Sequence, residues 1–140
     1  VKLEEVSAVE GGAWAAVAEF NLIDANGANL PRDGWRASAD SAAANDRPEN
    51  AIDGDPRTLW HSQWEGVAPQ PPHSLIVDLG HSTRFSGLRM LPRQDGPANG
   101  TIAKFRFYTS VNGVDWGRPV AEGDFSTMGP RLAEKTVRIR

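Results

Sequence analysis

The chain has 140 residues, the size of one domain that can bury a core of its own. Its formal net charge of −3 argues against a nucleic-acid-binding protein, and the absence of cysteine excludes disulfides and thiolate metal sites. No apolar run approaches the ~18 residues that a membrane span requires. The chain starts at Val1 without a methionine or a visible signal peptide, so we interpret it as a segment of a longer, multidomain protein.

The local signals along the chain are short runs bounded by Gly, Pro, Asn and Asp, without long helical periodicity. The alternation of Phe105, Phe107 and Thr109 is typical of a half-buried strand. The sequence predicts strands at Val1–Ala8, Val17–Ile23, Trp35–Ala39, Ser74–Leu79, Phe85–Leu91, Phe105–Ser110, Pro119–Glu122 and Thr136–Arg140. Short strands with turn signals between them indicate an all-β antiparallel β-sandwich, formed by residues 1–140 as a single domain.

The segment from Ser41 to Pro72 has no strand character, and a loop of this length in a compact domain is usually functional. Within it, Asp53 and Asp55 flank a glycine and precede Thr58. Such a turn can hold calcium, which takes about 6–8 oxygen ligands, but Asp and Gly also serve turn geometry alone. The spacing is not that of an EF-hand, and by itself it leaves both interpretations open.

Several motifs in chain order resemble the discoidin domains, also called coagulation-factor type C domains. The resemblance extends to their bacterial sugar-binding branch, carbohydrate-binding module family 32, and covers nearly all of Leu30–Val137. The similar runs are Asn50-Ala51-Ile52-Asp53-Gly54 with Thr58, Trp60 and His61, then Val77-Asp78-Leu79-Gly80, then Leu91-Pro92-Arg93-Gln94-Asp95-Gly96 with Asn99-Gly100, then Tyr108–Gly113 with Trp116. The resemblance implies a discoidin-like jelly roll with long binding loops at one end.

The order of the strands departs from the family's pattern. In the family's pattern, a last strand follows the position at which this chain stops, Arg140. Here residues 1–23 supply the strands that normally end the fold. We interpret this order as a circular permutation, which is tolerable where chain ends lie close together. We therefore expect residues 1–23 to lie beside Thr136–Arg140. The alternative is that residues 1–23 are the tail of a preceding, similar domain.

The resemblance implies a structural calcium ion that ties the long loop to the strand supplied by the N-terminal segment. Its ligands would be the backbone carbonyl of Ala18 and the carboxylate of Glu19, together with oxygen atoms of the loop. The implied ligand set is Ala18, Glu19, Ala51, Asp53, Asp55 and Thr58. Ala133-Glu134 is a second pair of the same type, but Ala18-Glu19 is preferred because a strand continues after it.

The resemblance also implies a sugar site. Flat aromatic rings stack on pyranose faces, while charged and amide groups bond the hydroxyls. The matching positions are His61, Trp64, Arg93 and Asn99, with Trp14 as a second aromatic wall. His61 and Arg93 would hold the axial hydroxyl of galactose or N-acetylgalactosamine. On sequence alone, Arg93 is equally consistent with a surface ion pair.

The other aromatic and histidine residues are interpreted as structural. Trp35, Trp60 and Trp116 are expected in the core or at strand ends, because aromatics dominate small cores. His73 and His81 are expected to have no binding role.

The expected function is a non-catalytic carbohydrate-binding module, linked to the catalytic domain of a secreted, extracellular bacterial enzyme that acts on glycans. The alternative is an adhesion module that binds membrane lipid or protein. A glycosidase is rejected because it needs two carboxylates flanking the bond, and Asp53 and Asp55 are assigned to calcium.

Overall fold

The computed structural model describes residues 1–139, and within them the chain forms short β-strands and two 3-10 helices. The strands are β1 (Lys2–Glu5), β2 (Ala16–Val17), β3 (Glu19–Ile23), β4 (Arg36–Ala39), β5 (Trp60–His61), β6 (His73–Asp78), β7 (Gly87–Leu91), β8 (Lys104–Tyr108), β9 (Ala121–Asp124) and β10 (Lys135–Arg138). The 3-10 helices are Pro48–Ile52 and Phe125–Thr127. The all-β prediction is therefore confirmed.

The strands form antiparallel sheets that pack against each other as a sandwich. One sheet has the order β4-β6-β1-β8-β9, a second has the order β10-β7-β3, and β2 pairs with β5. Strand β8 shows why the sequence forms this layer. Phe105 and Phe107 are buried, whereas Lys104 and Arg106 between them are exposed, as expected for a sheet with one wet face.

Aromatic side chains join the two main sheets. The rings of Phe20 on β3 and Phe107 on β8 lie 6.2 Å apart, and Phe105 stacks on Phe125 at 3.9 Å. All four are at most 1% exposed. Burial of each ring contributes roughly 1.5–3 kcal/mol, so this cluster holds the layers together. Trp60, expected in the core, is also buried there.

The N-terminal segment is an integral part of both main sheets. Strand β1 lies between β6 and β8, with Leu3 opposite Leu75 on one side and Phe107 on the other. Strand β3 pairs with one edge of β7, and β10 pairs with the other edge. The expectation that residues 1–23 lie beside Thr136–Arg140 was wrong in this detail, because β7 separates β3 from β10. Arg140 lies outside the described residues.

The long segment 41–72 contains more structure than its composition predicts. It holds the 3-10 helix Pro48–Ile52 and the two-residue strand β5, which pairs with β2. The middle of this segment is therefore anchored to the sandwich, and its flanks remain loops.

Among the described residues, no helix is long and apolar enough to cross a membrane.

Candidate ligand-binding site

Three loops meet at one end of the sandwich, and the short pair β2-β5 brings them together. Ala16 is opposite His61 in this pair, so the residues before Ala16 run alongside those after His61. Ala16 also forms a parallel bridge with Thr101, and its N–H donates to the carbonyl of Gly100 at 2.8 Å. The loops that carry Trp14, His61 and Asn99 are thus neighbours.

Gly100 permits this close approach. Its φ is +81°, and a Cβ at this position would lie 3.0 Å from the carbonyl carbon of Ala15. Any other residue would be strained in the left-handed region and would also press against that backbone. Glycine here sets the distance between the Asn99 loop and the Trp14 loop.

Ser62 joins the Trp14 loop to the His61 loop. Its N–H donates to the carbonyl of Ala15 at 2.8 Å, and its hydroxyl oxygen accepts from the N–H of Ala15 at 2.9 Å. Ser62 is fully buried, so both hydrogen bonds are shielded from water. This reciprocal pair fixes Trp14 relative to His61.

Trp14 and His61 form the aromatic part of the arrangement. Their ring centroids are 6.3 Å apart with a tilt of 48°. The ring nitrogen Nε1 of Trp14 is buried and has no hydrogen-bond partner within residues 1–139. Trp14 is only partly buried, so part of its surface remains open to a ligand.

The protonation of His61 is set by its neighbours. Its Nδ1 lies 2.7 Å from the carbonyl of Ser62, which can only accept, so Nδ1 carries the proton. Burial lowers the pKa of His61 and the charge of Arg93 lowers it further, although the hydrogen bond to Ser62 opposes the shift. The neutral ring therefore leaves Nε2 as a hydrogen-bond acceptor.

Arg93 is nearly buried, with its side chain 10% exposed, and is held on two sides. Its Nε and one terminal nitrogen bond both carboxylate oxygens of Asp95, at 2.8 and 2.9 Å. The other terminal nitrogen donates to the carbonyl of Asn99 at 2.6 Å. A guanidinium has five N–H donors, so about two remain for a ligand.

The hydrogen bond from Arg93 lowers the pKa of Asp95, although the burial of the carboxylate opposes this shift.

The two other predicted residues are less constrained. Asn99 is exposed, and its backbone carbonyl, rather than its side chain, contacts Arg93. Trp64 is 53% exposed, and no ring contact within residues 1–139 joins it to Trp14 or His61. The structure thus brings together Trp14, His61 and Arg93, with Asn99 at their edge. Trp64 stands farther out on the His61 loop.

The predicted calcium ligands gather beside this end, where the loop after the first 3-10 helix meets β3. Glu19 Oε1 accepts from the N–H of Gly54 at 2.9 Å. The Thr58 hydroxyl lies 2.5 Å from Asp53 Oδ2 and 3.1 Å from the carbonyl of Asp55. The pKa of Glu19 is raised by burial and by the adjacent Asp53 carboxylate, while Arg32 opposes this. Two facing carboxylates with a carbonyl and a hydroxyl form a donor set of the kind that calcium prefers.

Arg32 supplies a cation at the same place. Its guanidinium bonds Glu19 Oε2 at 2.5 Å and the carbonyl of Phe20 at 3.1 Å.

The other predicted calcium ligands, Ala18 and Ala51, are buried beside the loop. Within residues 1–139, no group of three or more acidic, histidine or cysteine side chains is arranged to hold a metal. The alternative Glu134 forms an ion pair with Arg89 instead.

A comparison with known protein families identifies the domain. The model of the F5/8 type C domain matches residues 35–140. The chain belongs to the F5/8 type C domain family. The match includes the His61 and Arg93 loops of this F5/8 type C domain, whereas Trp14 and Glu19 lie before the matched region. The structure connects the two parts through the pairs β2-β5 and β3-β7.

Two relatives illustrate where similar F5/8 type C domains occur. A galactose oxidase of Gibberella zeae is 39% identical over 100 residues, which is 71% of this chain and 15% of that protein. A sialidase of Micromonospora viridifaciens is 43% identical over 98 residues, which is 69% of this chain and 15% of that protein. The chain therefore spans about 15% of the length of these relatives.

Sequence reasoning missed several residues that shape this F5/8 type C domain. Asp95 orients Arg93, Ser62 fixes the Trp14 loop, and Arg32 binds Glu19. Asp95 stands two residues after Arg93, a spacing that could have indicated a local ion pair. For Ser62 and Arg32, only the paired strands bring the partners together, so the sequence carries no local signal.

Proposed function

We propose that this domain is a non-catalytic carbohydrate-binding module for terminal galactose or N-acetylgalactosamine. The observation that carries the proposal is the convergence of an acceptor, a set of donors and an aromatic ring. His61 Nε2 accepts, Arg93 donates, and Trp14 offers a ring face. This combination suits a sugar, which presents hydroxyls on its edge and apolar C–H groups on its face.

One sugar hydroxyl can use both polar groups at once. Its proton is donated to His61 Nε2, and its oxygen accepts from a free N–H of Arg93. The hydrogen bond from Arg93 is charge-assisted and is therefore about twice as strong as a neutral one. An axial hydroxyl projects from the ring plane and can reach both groups, so galactose-type sugars should bind more tightly than glucose.

The domain performs no chemistry on the ligand. Asp95 is bound in bidentate fashion by Arg93, and its lowered pKa makes it a poor proton donor. A glycosidase needs an acid of raised pKa opposite a second carboxylate. The polar groups of the arrangement therefore bind and orient a ligand.

The module is proposed to target a secreted, extracellular bacterial enzyme to its glycan. The similarity to segments of a galactose oxidase and a sialidase, both named for sugar substrates, supports this role. A linked module raises the effective concentration of the enzyme near its substrate. Calcium at Glu19, Asp53, Asp55 and Thr58, with Ala18 and Ala51, is proposed as a structural ion.

Calorimetric titration with galactose, N-acetylgalactosamine and glucose tests the proposal. We expect galactose to bind at about 1 mM, or −4 kcal/mol, and glucose more weakly. Arg93→Lys keeps the charge but loses the bidentate hydrogen bond to Asp95, and it should weaken galactose binding at least tenfold. Arg118→Ala removes an arginine from a separate cavity of about 630 Å³ on the outer sheet face and should change nothing. Equal responses to all three sugars, or binding to lipid vesicles instead, would contradict the proposal.

A further inference from the structure

A histidine beneath the binding loops has no part in the site described above. His73 begins β6, and its side chain is 0% exposed. Its Nε2 lies 2.5 Å from the carbonyl of Ala13, the residue before Trp14, although the two are 60 residues apart in sequence. Its Nδ1 lies 2.9 Å from Asp40 Oδ2. His73 therefore connects the sheet directly to the loop that carries Trp14.

Both contacts require a proton from the ring. The carbonyl of Ala13 can only accept, and Asp40 as a carboxylate can also only accept. The second oxygen of Asp40 accepts from the N–H of Ser74 at 2.8 Å, which fixes the carboxylate in place. A neutral imidazole has one N–H, so it can satisfy only one of the two partners. The geometry is complete only when His73 is doubly protonated.

We propose that His73, as an imidazolium, is a positioning residue that holds the Trp14 loop in its sugar-binding arrangement. Few other bonds fix this loop between Ala8 and Ala15. The N–H of Val9 donates to the carbonyl of Thr101, and Ala15 is held by Ser62. Between these two points, the side chain of Glu10 accepts from the N–H of Gly100, and the bond from His73 fixes the backbone next to Trp14. The inference rests on the proposed function only in giving Trp14 a ligand.

The charged groups around His73 favour its protonated form. Burial lowers the pKa of His73, but the hydrogen bonds to Asp40 and Ala13 and the charges of Asp40 and Glu5 outweigh it, so the net shift is upward. Glu5 faces His73 across the β1-β6 pair and is 1% exposed, with neither oxygen hydrogen-bonded within residues 1–139. Glu10 lies beyond Glu5 and accepts from Gly100. Phe105, opposite Glu5 on β8, adds no charge.

Loss of the proton has a defined structural result. The neutral ring must release one of its two partners, and because a carboxylate is the stronger acceptor, it keeps Asp40 and releases the carbonyl of Ala13. Release of Ala13 frees the backbone beside Trp14 and changes the tilt of its ring against His61. Galactose affinity should therefore fall as the pH rises through the raised pKa of His73.

Two amide variants separate the contacts of His73. The amide nitrogen of His73→Gln can take the place of Nε2 and donate to Ala13, whereas that of His73→Asn can take the place of Nδ1 and donate to Asp40. We expect His73→Gln to keep galactose affinity within about threefold of wild type and to lose its dependence on pH. His73→Asn should bind galactose at least tenfold more weakly and exchange the amide protons of residues 13–16 faster.

Two measurements keep the test independent of the sugar. Nitrogen-15 spectra of the wild-type ring at pH 6.5 should show two N–H protons on His73, and a neutral ring would overturn the proposal even if a variant failed to fold. Equal amide exchange in His73→Gln and His73→Asn would overturn it as well. If the exchange differs as expected but galactose does not bind either protein, the positioning role stands and the proposed function fails.

Discussion

Arg32 and Glu19 form an ion pair with 2.5 Å between the guanidinium nitrogen and the carboxylate oxygen. Both side chains are largely shielded from water, and Glu19 also faces Asp53. Arg32 comes from the segment between β3 and β4, so the pair ties this connection to the start of β3, and Glu19 in turn accepts from the N–H of Gly54 in the loop after Ile52. A tethered cation thus lies against the carboxylate that the proposed calcium ion would share.

Removal of calcium should destabilise the domain, and Arg32→Gln should enlarge this effect. Without Arg32, the carboxylates of Glu19 and Asp53 repel each other and depend on the ion. A charged hydrogen bond contributes about 1.5–3 kcal/mol, so calcium should bind Arg32→Gln about tenfold more tightly. Melting curves with added calcium and with a chelator measure the difference, since an ion specific for the native state raises the melting temperature.

Arg57→Gln is the matched control for this experiment. Arg57 is close to the same loop but bonds the side chain of Asp55 and is almost fully exposed. The Arg57→Gln variant removes one positive charge and leaves the contacts of Glu19 unchanged. If both variants respond to calcium alike, the effect is general electrostatics. If a chelator leaves all three melting curves unchanged and no metal copurifies, the calcium site is disproved.

Stability should fall as the pH rises from about 4.5 to 7. Burial raises the pKa of Glu5 from 4.5 to about 7, so the folded state holds a proton that the unfolded chain releases. This stabilisation is complete below the unfolded pKa and is lost as the pH passes through the folded pKa. The raised pKa of His73 acts in the same direction at higher pH. Thermal unfolding at several pH values measures the slope.

Glu5→Gln should flatten this slope between pH 4.5 and 7, because the amide keeps the shape of the side chain and does not titrate. Glu122→Gln, on the exposed face of β9, provides the control and should follow wild type. A profile of Glu5→Gln that parallels wild type would show that Glu5 is not the responsible group.

Gly100→Ala should weaken both folding and sugar binding. The new Cβ would lie about 3.0 Å from the backbone of Ala15, at a φ that favours glycine. Relief requires the Asn99 loop to move away from the Trp14 loop. We expect a loss of about 1–3 kcal/mol in unfolding free energy and a clear loss of galactose affinity. Gly113→Ala, also at positive φ but in open space, controls for strain alone and should leave galactose affinity unchanged.

Deletion of residues 1–24 should abolish folding. It removes β1 from the middle of the five-stranded sheet and leaves β6 and β8 without their shared partner. It also removes β3, which covers one edge of β7. Circular dichroism and proton NMR measure the outcome. A well-dispersed spectrum of the shortened chain would favour the view that this segment is the tail of a preceding domain.

A point variant tests the same role of β1 more mildly. Leu3→Ala, at a side chain that is 2% exposed, should cost about 2–5 kcal/mol. Glu4→Ala, on the outer face of the same strand, should cost much less. Similar melting temperatures for the two variants would contradict a central place for β1.

The fold was predictable from the sequence wherever alternation was strong, as in Phe105, Phe107 and the strands around them. Strand β5 was missed because a strand of two residues is too short to show the alternation of polar and apolar side chains. Its existence depends on pairing with Ala16 and Val17. The strand predicted at Pro119–Glu122 instead spans Ala121–Asp124, since its bounds follow from pairing with β8.

The site was predictable only at the level of residue types. His61 and Arg93 were found because they lie in recognisable runs. The roles of Ser62, His73 and Arg32 were not, because each acts on a residue that is distant in sequence. The environment of the buried Glu5 carboxyl group was not predictable for the same reason, since its neighbour His73 is opposite it only in the folded sheet.

The central position of β1 has a kinetic consequence. Its partners lie on β6 and β8, and the pairing of Lys2 with Tyr108 closes a loop over most of the chain. Chains dominated by such long-range pairings fold in milliseconds to seconds, since the entropy of closure is lost before contacts form. Strand β1 is synthesised before its partners, so both of its edges are unpaired until β6 and β8 follow. The domain therefore completes its larger sheet only after β8 and β9 have been synthesised.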